Sequence, residues 1–95
     1  MNNLIQLKHQ EFQKRYGENN TNYLMMVRII NKYLQQADST NTICERTLRR
    51  YAHGDCIPKK EDIIKAISKL CDVSPNCLIS DLERYKKYLE EYKKC

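Results

Sequence analysis

Apolar residues in this chain recur at three- and four-residue spacing through several stretches and rarely alternate, which is the signature of amphipathic helices and not of half-buried strands. Punctuation agrees. A β-rich domain needs turns every few residues, yet the chain carries only two glycines and two prolines, enough for a handful of helices with short connections. At 95 residues it makes one domain, or one domain plus a terminal arm. Such a chain buries only about 60–65% of its unfolded surface, so most apolar residues hold one modest core and a deep ligand cavity is not expected. The expected fold class is all-α, a compact bundle of four to five helices with extra N- and C-terminal helical segments.

The stripes place the elements. Leu4, Leu7, Phe12 and Tyr16 fall loosely on one side of a helix over 3–16, which the polar run 17–22 breaks. Residues 22–37 carry a stronger stripe of Leu24, Val27, Ile30, Tyr33 or Leu34, and Ala37, with Asn22 as N-cap. A third helix covers about 43–53. Thr42 and Glu45 read as a capping box at its start, Leu48 and Tyr51 supply its apolar side, and Gly54 ends it in a left-handed conformation. Residues 60–71 have Glu61 and Asp62 at the positive helix end and a broad face of Ile63, Ile64, Ile67, Leu70 and Cys71. Ser74-Pro75 then opens a last helix as N-cap and first helical residue. The expected organisation is an arm or extra helix over 1–21, a main domain over 22–81 and a charged helical extension over 82–95.

The formal net charge of +5 favours a nucleic-acid or other anionic partner without identifying it. Five cysteines (44, 56, 71, 77 and 95) are an odd number with no zinc-type spacing, so they read as small core or half-buried residues of a reducing cytoplasm. Neither a metal nor a cofactor is expected, and no small-molecule substrate. No secretory leader or membrane-spanning stretch is evident, so a cytoplasmic location is the expectation. His9 and His53 lack a cysteine or carboxylate arranged as a catalytic partner, and there is no glycine-rich phosphate loop or nucleophile elbow. An enzyme is not expected.

The helix at 43–53 carries the chemistry. Arg46 and Arg50, four residues apart, share one face, and arginine offers two parallel donors to guanine O6 and N7. Arg49 beside them is better placed for a phosphate. Over residues 43–79, Gly54, Pro58, the Ile63–Leu70 stripe and Val73-Ser74-Pro75 stand in the order and spacing of a known pattern. In this stretch the chain resembles the phage-repressor-like helix-turn-helix family, also called the xenobiotic-response-element type. That resemblance implies a lambda-repressor-like bundle in which the helix after the turn enters the major groove, often as a dimer on a two-fold operator. By position it puts Glu45, Arg46 and Arg50 at base-facing places. Cys44 stands where a serine or threonine usually caps the helix and touches phosphate, and Lys59 and Lys60 face backbone phosphates; His53 is a further phosphate donor. The chain departs from the pattern at Asp38 and Thr42, where alanine and glycine are usual, and at Ala52, where the family has an acidic residue. If Glu45 closes the capping box with Thr42, it is a cap and not a base reader.

Leu82, Tyr85, Leu89 and Tyr92 trace a three-four-three seam on the last helix, which either packs on its own domain or makes a homodimer contact. With under two heptads the seam needs help from the domain. Cys95 at the chain end is exposed under either reading. The expected function is sequence-specific binding to a double-stranded DNA operator, as a repressor of the phage or mobile-element kind. The competing reading is a protein-interaction module, antitoxin- or inhibitor-like, whose arginine face meets an acidic protein. RNA is the weaker partner, because the A-form major groove does not admit a helix and no aromatic stacking platform is present.

Overall fold

In the computed structural model, residues 2–18 and 21–93 are described. Asn19 and Asn20 in the polar break, and Lys94 and Cys95 in the charged tail, lie outside the described residues. Five helices follow one another: α1 Leu4–Tyr16, α2 Asn22–Gln36, α3 Glu45–His53, α4 Glu61–Cys71 and α5 Pro75–Lys93. No strand occurs among the described residues, so the all-α class is as the periodicity implies. One core serves all five helices. Ile5, Met26, Ile30, Leu34, Leu48, Ile67 and Leu78 are fully buried in it.

The N-terminal segment belongs to that core. Ile5 is the buried residue of α1, whereas Leu7 and Tyr16, expected on the inner stripe, are exposed. Leu4 and Phe12 of the stripe do pack partly buried against the core; Leu7 and Tyr16 depart from it because α1 rests on several elements at once and does not present a single straight seam to one partner. Its start is tied to two other helices, α3 and α5. Asn3 accepts from the Gln6 N–H at 2.9 Å while its own N–H donates to Gln6 Oε1 at 3.1 Å, a reciprocal cap. Asn3 Nδ2 also donates to the Ala52 carbonyl at 3.0 Å and more weakly to Tyr51 at 3.4 Å, the last-turn oxygens of α3. Asp81 of α5 accepts the Leu4 N–H at 2.8 Å.

Helix α2 begins at Asn22 with Thr21 as N-cap, so Asn22 is not the cap the sequence suggested. It is instead a buried first-turn residue donating to the Gly17 carbonyl at 3.0 Å. Of its expected stripe, Val27, Ile30 and Leu34 are buried, Leu24 and Tyr33 are partly covered, and Ala37 is exposed. Three helices end alike. Asp38, Gly54 and Asp72 take left-handed backbones after α2, α3 and α4, and a six-to-one bond closes each end: Ser39 N–H to Leu34, Asp55 to Arg50 and Val73 to Ser68, all at 3.0 Å. Helix α5 opens as expected, the Ser74 hydroxyl accepting the Cys77 N–H at 3.2 Å ahead of Pro75.

Candidate nucleic-acid interface

Helix α3 is divided lengthwise. Leu48 and Ala52, four residues apart, are fully buried, while Arg46, Arg50 and His53 line the exposed side at four- and three-residue spacing. Neither Arg46 nor Arg50 has an ion-pair partner among the described residues. Both guanidinium groups therefore point outward with their donors available to a planar acceptor pair.

Arg49 differs from its neighbours. Its Nε and Nη2 both reach Glu45 Oε1, at 3.2 and 2.7 Å, and its guanidinium carbon lies 4.6 Å from the centre of the Tyr23 ring. His9 of α1 stacks on the same tyrosine with ring centres 4.0 Å apart. Arg49 thus joins α3 to α2 and α1, where the sequence had suggested a phosphate contact. Burial, with the Arg49 charge second, holds the His9 pKa below its ordinary value, and burial raises that of Tyr23.

The Thr42–Glu45 capping box does not form. Cys44 is the N-cap, extended at φ −109° and ψ 167°, and Glu45 is the first helical residue with its carboxylate turned along the helix to Arg49. The cause lies in α2: the Asn31 amide donates to the Ile43 carbonyl at 3.0 Å and accepts the Ile43 N–H at 2.9 Å. That grip keeps the chain extended past residue 42, so the helix starts two residues too late for Thr42 to cap it. The exposed Cys44 thiol lies 3.2 Å from Thr47 Oγ1, and this hydrogen bond, with nearby backbone N–H groups, lowers its pKa. Cys71, by contrast, is pushed up to about 11 by burial and sits 3.9 Å from the Leu4 carbonyl.

The connection Ala37–Cys44 is pinned from below. Asp62 of α4 accepts from the Ser39 hydroxyl and from Asn41 Nδ2 (2.6 Å), which hold its carboxyl below the usual carboxylate range. Lys60 donates to Asn41 Oδ1 at 3.0 Å and remains exposed, as does Lys59. These lysines therefore lie in the stretch joining α3 to α4, with Lys60 also bracing the turn that leads into α3.

Behind α3 stands α5. A Cβ on Gly54 would come within 2.6 Å of Leu89 Cδ1 and 3.1 Å of Tyr85 Cε2, so it would push these α5 side chains aside, while the φ of +80° itself calls for glycine. The expected dimer seam is accordingly turned inward over most of its length. Leu82 and Tyr85 are buried in the chain's own core and Leu89 lies over Gly54; Tyr92 alone of the four is exposed.

The described residues hold no group of three or more histidine, cysteine or acidic side chains placed to bind a metal, and no described helix is long and apolar enough to cross a membrane. The sequence thus named Arg46, Arg50, His53 and Cys44, which the structure brings onto one exposed side and end of α3, with the exposed Lys59 and Lys60 in the stretch that follows it. It missed the residues that aim this helix: Asn3, Tyr23 and Asn31. The Asn3-x-x-Gln6 cap pattern was the one readable signal among them. Comparison with family models, with curated proteins and with solved structures returned no match to this chain.

Proposed function

We propose that this protein is a sequence-specific double-stranded DNA-binding regulator of the phage-repressor-like helix-turn-helix kind, with α3 as the helix that enters the major groove. One observation carries the reading. Arg46 and Arg50 stand, without an ion-pair partner among the described residues, on the outer side of a short helix whose inner side is fully buried. Arginine in that setting is the commonest reader of guanine. The exposed Cys44 end of the helix and the Lys59–Lys60 stretch supply donors for flanking phosphates. Occupancy of an operator would exclude polymerase by bulk, a mechanism that needs no cofactor. Two-fold operator binding is part of the proposal; its dimer contact must involve surface other than Leu82 and Tyr85.

The test is selection from randomised duplex DNA by the purified protein at about 150 mM salt, where non-specific binding is weak. An inverted-repeat consensus is the expected result, and its half-site spacing reports the dimer geometry. Weak, salt-sensitive retention without enrichment would sink the proposal. A second reading, a protein-interaction module whose arginine face meets an acidic partner, draws on one feature: the Ala37–Cys44 connection is roughly twice the three- to four-residue turn of the motif. Absence of enrichment would bring that reading forward.

A further inference from the structure

Beside the N-terminal end of α3 lies a shallow groove between α2 and the connection that precedes α3. It is lined by Arg28, Lys32, Gln35, Asn31, Ser39, Asn41 and Thr42, a set without a single carboxylate. Arg28 and Lys32 are exposed, four residues apart on one face of α2, and have no ion-pair partner among the described residues. The floor is fixed: Asn31 holds Ile43 by two hydrogen bonds, and Asp62 and Lys60 hold Asn41 from the α4 side. Asp62, the acidic side chain joined to the groove wall, is engaged as acceptor by Ser39 and Asn41.

We infer that this groove is a phosphate track for the same duplex that α3 reads, with Arg28 and Lys32 each neutralising a phosphate of one strand and the Thr42 hydroxyl and Gln35 amide adding neutral donors. The inference rests on the reading of α3 above. Geometry supports it: Asn31 ties the groove floor to Ile43, the residue before the Cys44 N-cap, so a strand lying in the groove passes the positive end of α3. Four residues of helix advance about 6 Å, while a strand presents a phosphate every ~3.4 Å of duplex axis. The two cations thus meet separate phosphates. The long α2–α3 connection, which departs from the short turn of the motif, supplies one wall of the groove.

The experiment measures binding of the full chain to its selected duplex, and to a scrambled one, across a salt series. The Arg28→Gln/Lys32→Gln protein is compared with wild type and with Lys65→Gln/Lys69→Gln, which removes the same charge from the groove between α2 and α4. Thermal midpoints confirm that each variant folds. The expected result is a slope of log affinity against log salt reduced by about two units in the first variant. Both duplexes weaken in parallel, the base preference is kept, and the control slope is unchanged. An unaltered slope, or an equal fall in the control, overturns the phosphate track and leaves the α3 reading standing. Failure of the wild type to bind any duplex removes both.

Discussion

At the scale of single residues, Gly54 and Arg50 mark two kinds of constraint on one helix. Gly54 is bounded by its left-handed backbone and by Leu89 and Tyr85 at once. Gly54→Ala is therefore expected to lose about 2–3 kcal/mol in urea denaturation, from backbone strain plus overlap. Asparagine tolerates the left-handed region but still carries a Cβ. Because Leu89 Cδ1 is the tip of a flexible, half-buried side chain that can move aside, Gly54→Asn should lose clearly less than Gly54→Ala, and an equal loss would show that overlap with α5, not backbone strain, sets the cost. Arg50 has no such structural duty. Arg50→Ala should leave the thermal midpoint within experimental error and weaken the selected duplex by about 1–3 kcal/mol, relaxing choice at one base pair. Equal loss on selected and random duplexes would show that Arg50 touches phosphate and not a base.

Among elements, the notable link is between α1 and α3, which meet through Asn3 although its partners are Tyr51 and Ala52. Asn3→Asp keeps the acceptor for Gln6 but turns a carboxylate toward carbonyl oxygens at the negative end of α3. A loss of about 2–3 kcal/mol is expected, although aspartate is an excellent cap in isolation. A stability equal to wild type would mean that Asn3 serves α1 alone. The His9–Tyr23–Arg49 stack links the same helices and adds a pH dependence. His9 is harder to protonate in the fold than in the unfolded chain, because burial and Arg49 oppose its charge; Glu45, paired to Arg49, is the acidic neighbour. Its contribution is therefore complete above the ordinary histidine value of about 6.5 and declines as pH falls through that value toward the lower folded pKa. Thermal midpoints at pH 8 and pH 5.5 should differ more for wild type than for His9→Gln. Identical differences would rule the stack out as the source. The helices themselves were readable because burial of one face imposes a short period on neighbouring residues. Asn3 and Asn31 were not, since their partners are chosen by three-dimensional packing: Thr42-x-x-Glu45 fits a cap pattern perfectly well until Asn31 holds Ile43 and Arg49 claims Glu45.

For the molecule as a whole, the tail that reads as an appendage is a structural wall. Leu82 is 2% exposed, so Leu82→Ala should cost about 2–5 kcal/mol. That loss should be the same at all protein concentrations, since a dimer contact would make stability concentration-dependent. Urea transitions of wild type and Leu82→Ala at two concentrations a hundredfold apart check this, and a difference between the two proteins that changes with concentration would restore the seam to an intermolecular role. The seam was legible as a stripe; its partner was not, because a period reports that a face is covered and never by what. The lengthwise division of α3 has a consequence for how such a protein changes over time. Leu48, Ala52 and Gly54 anchor the helix, while Arg46, Arg50 and His53 are exposed. The outward three positions can be rewritten without renegotiating the fold, so whatever this face meets can change by a few substitutions, each of them nearly neutral for stability.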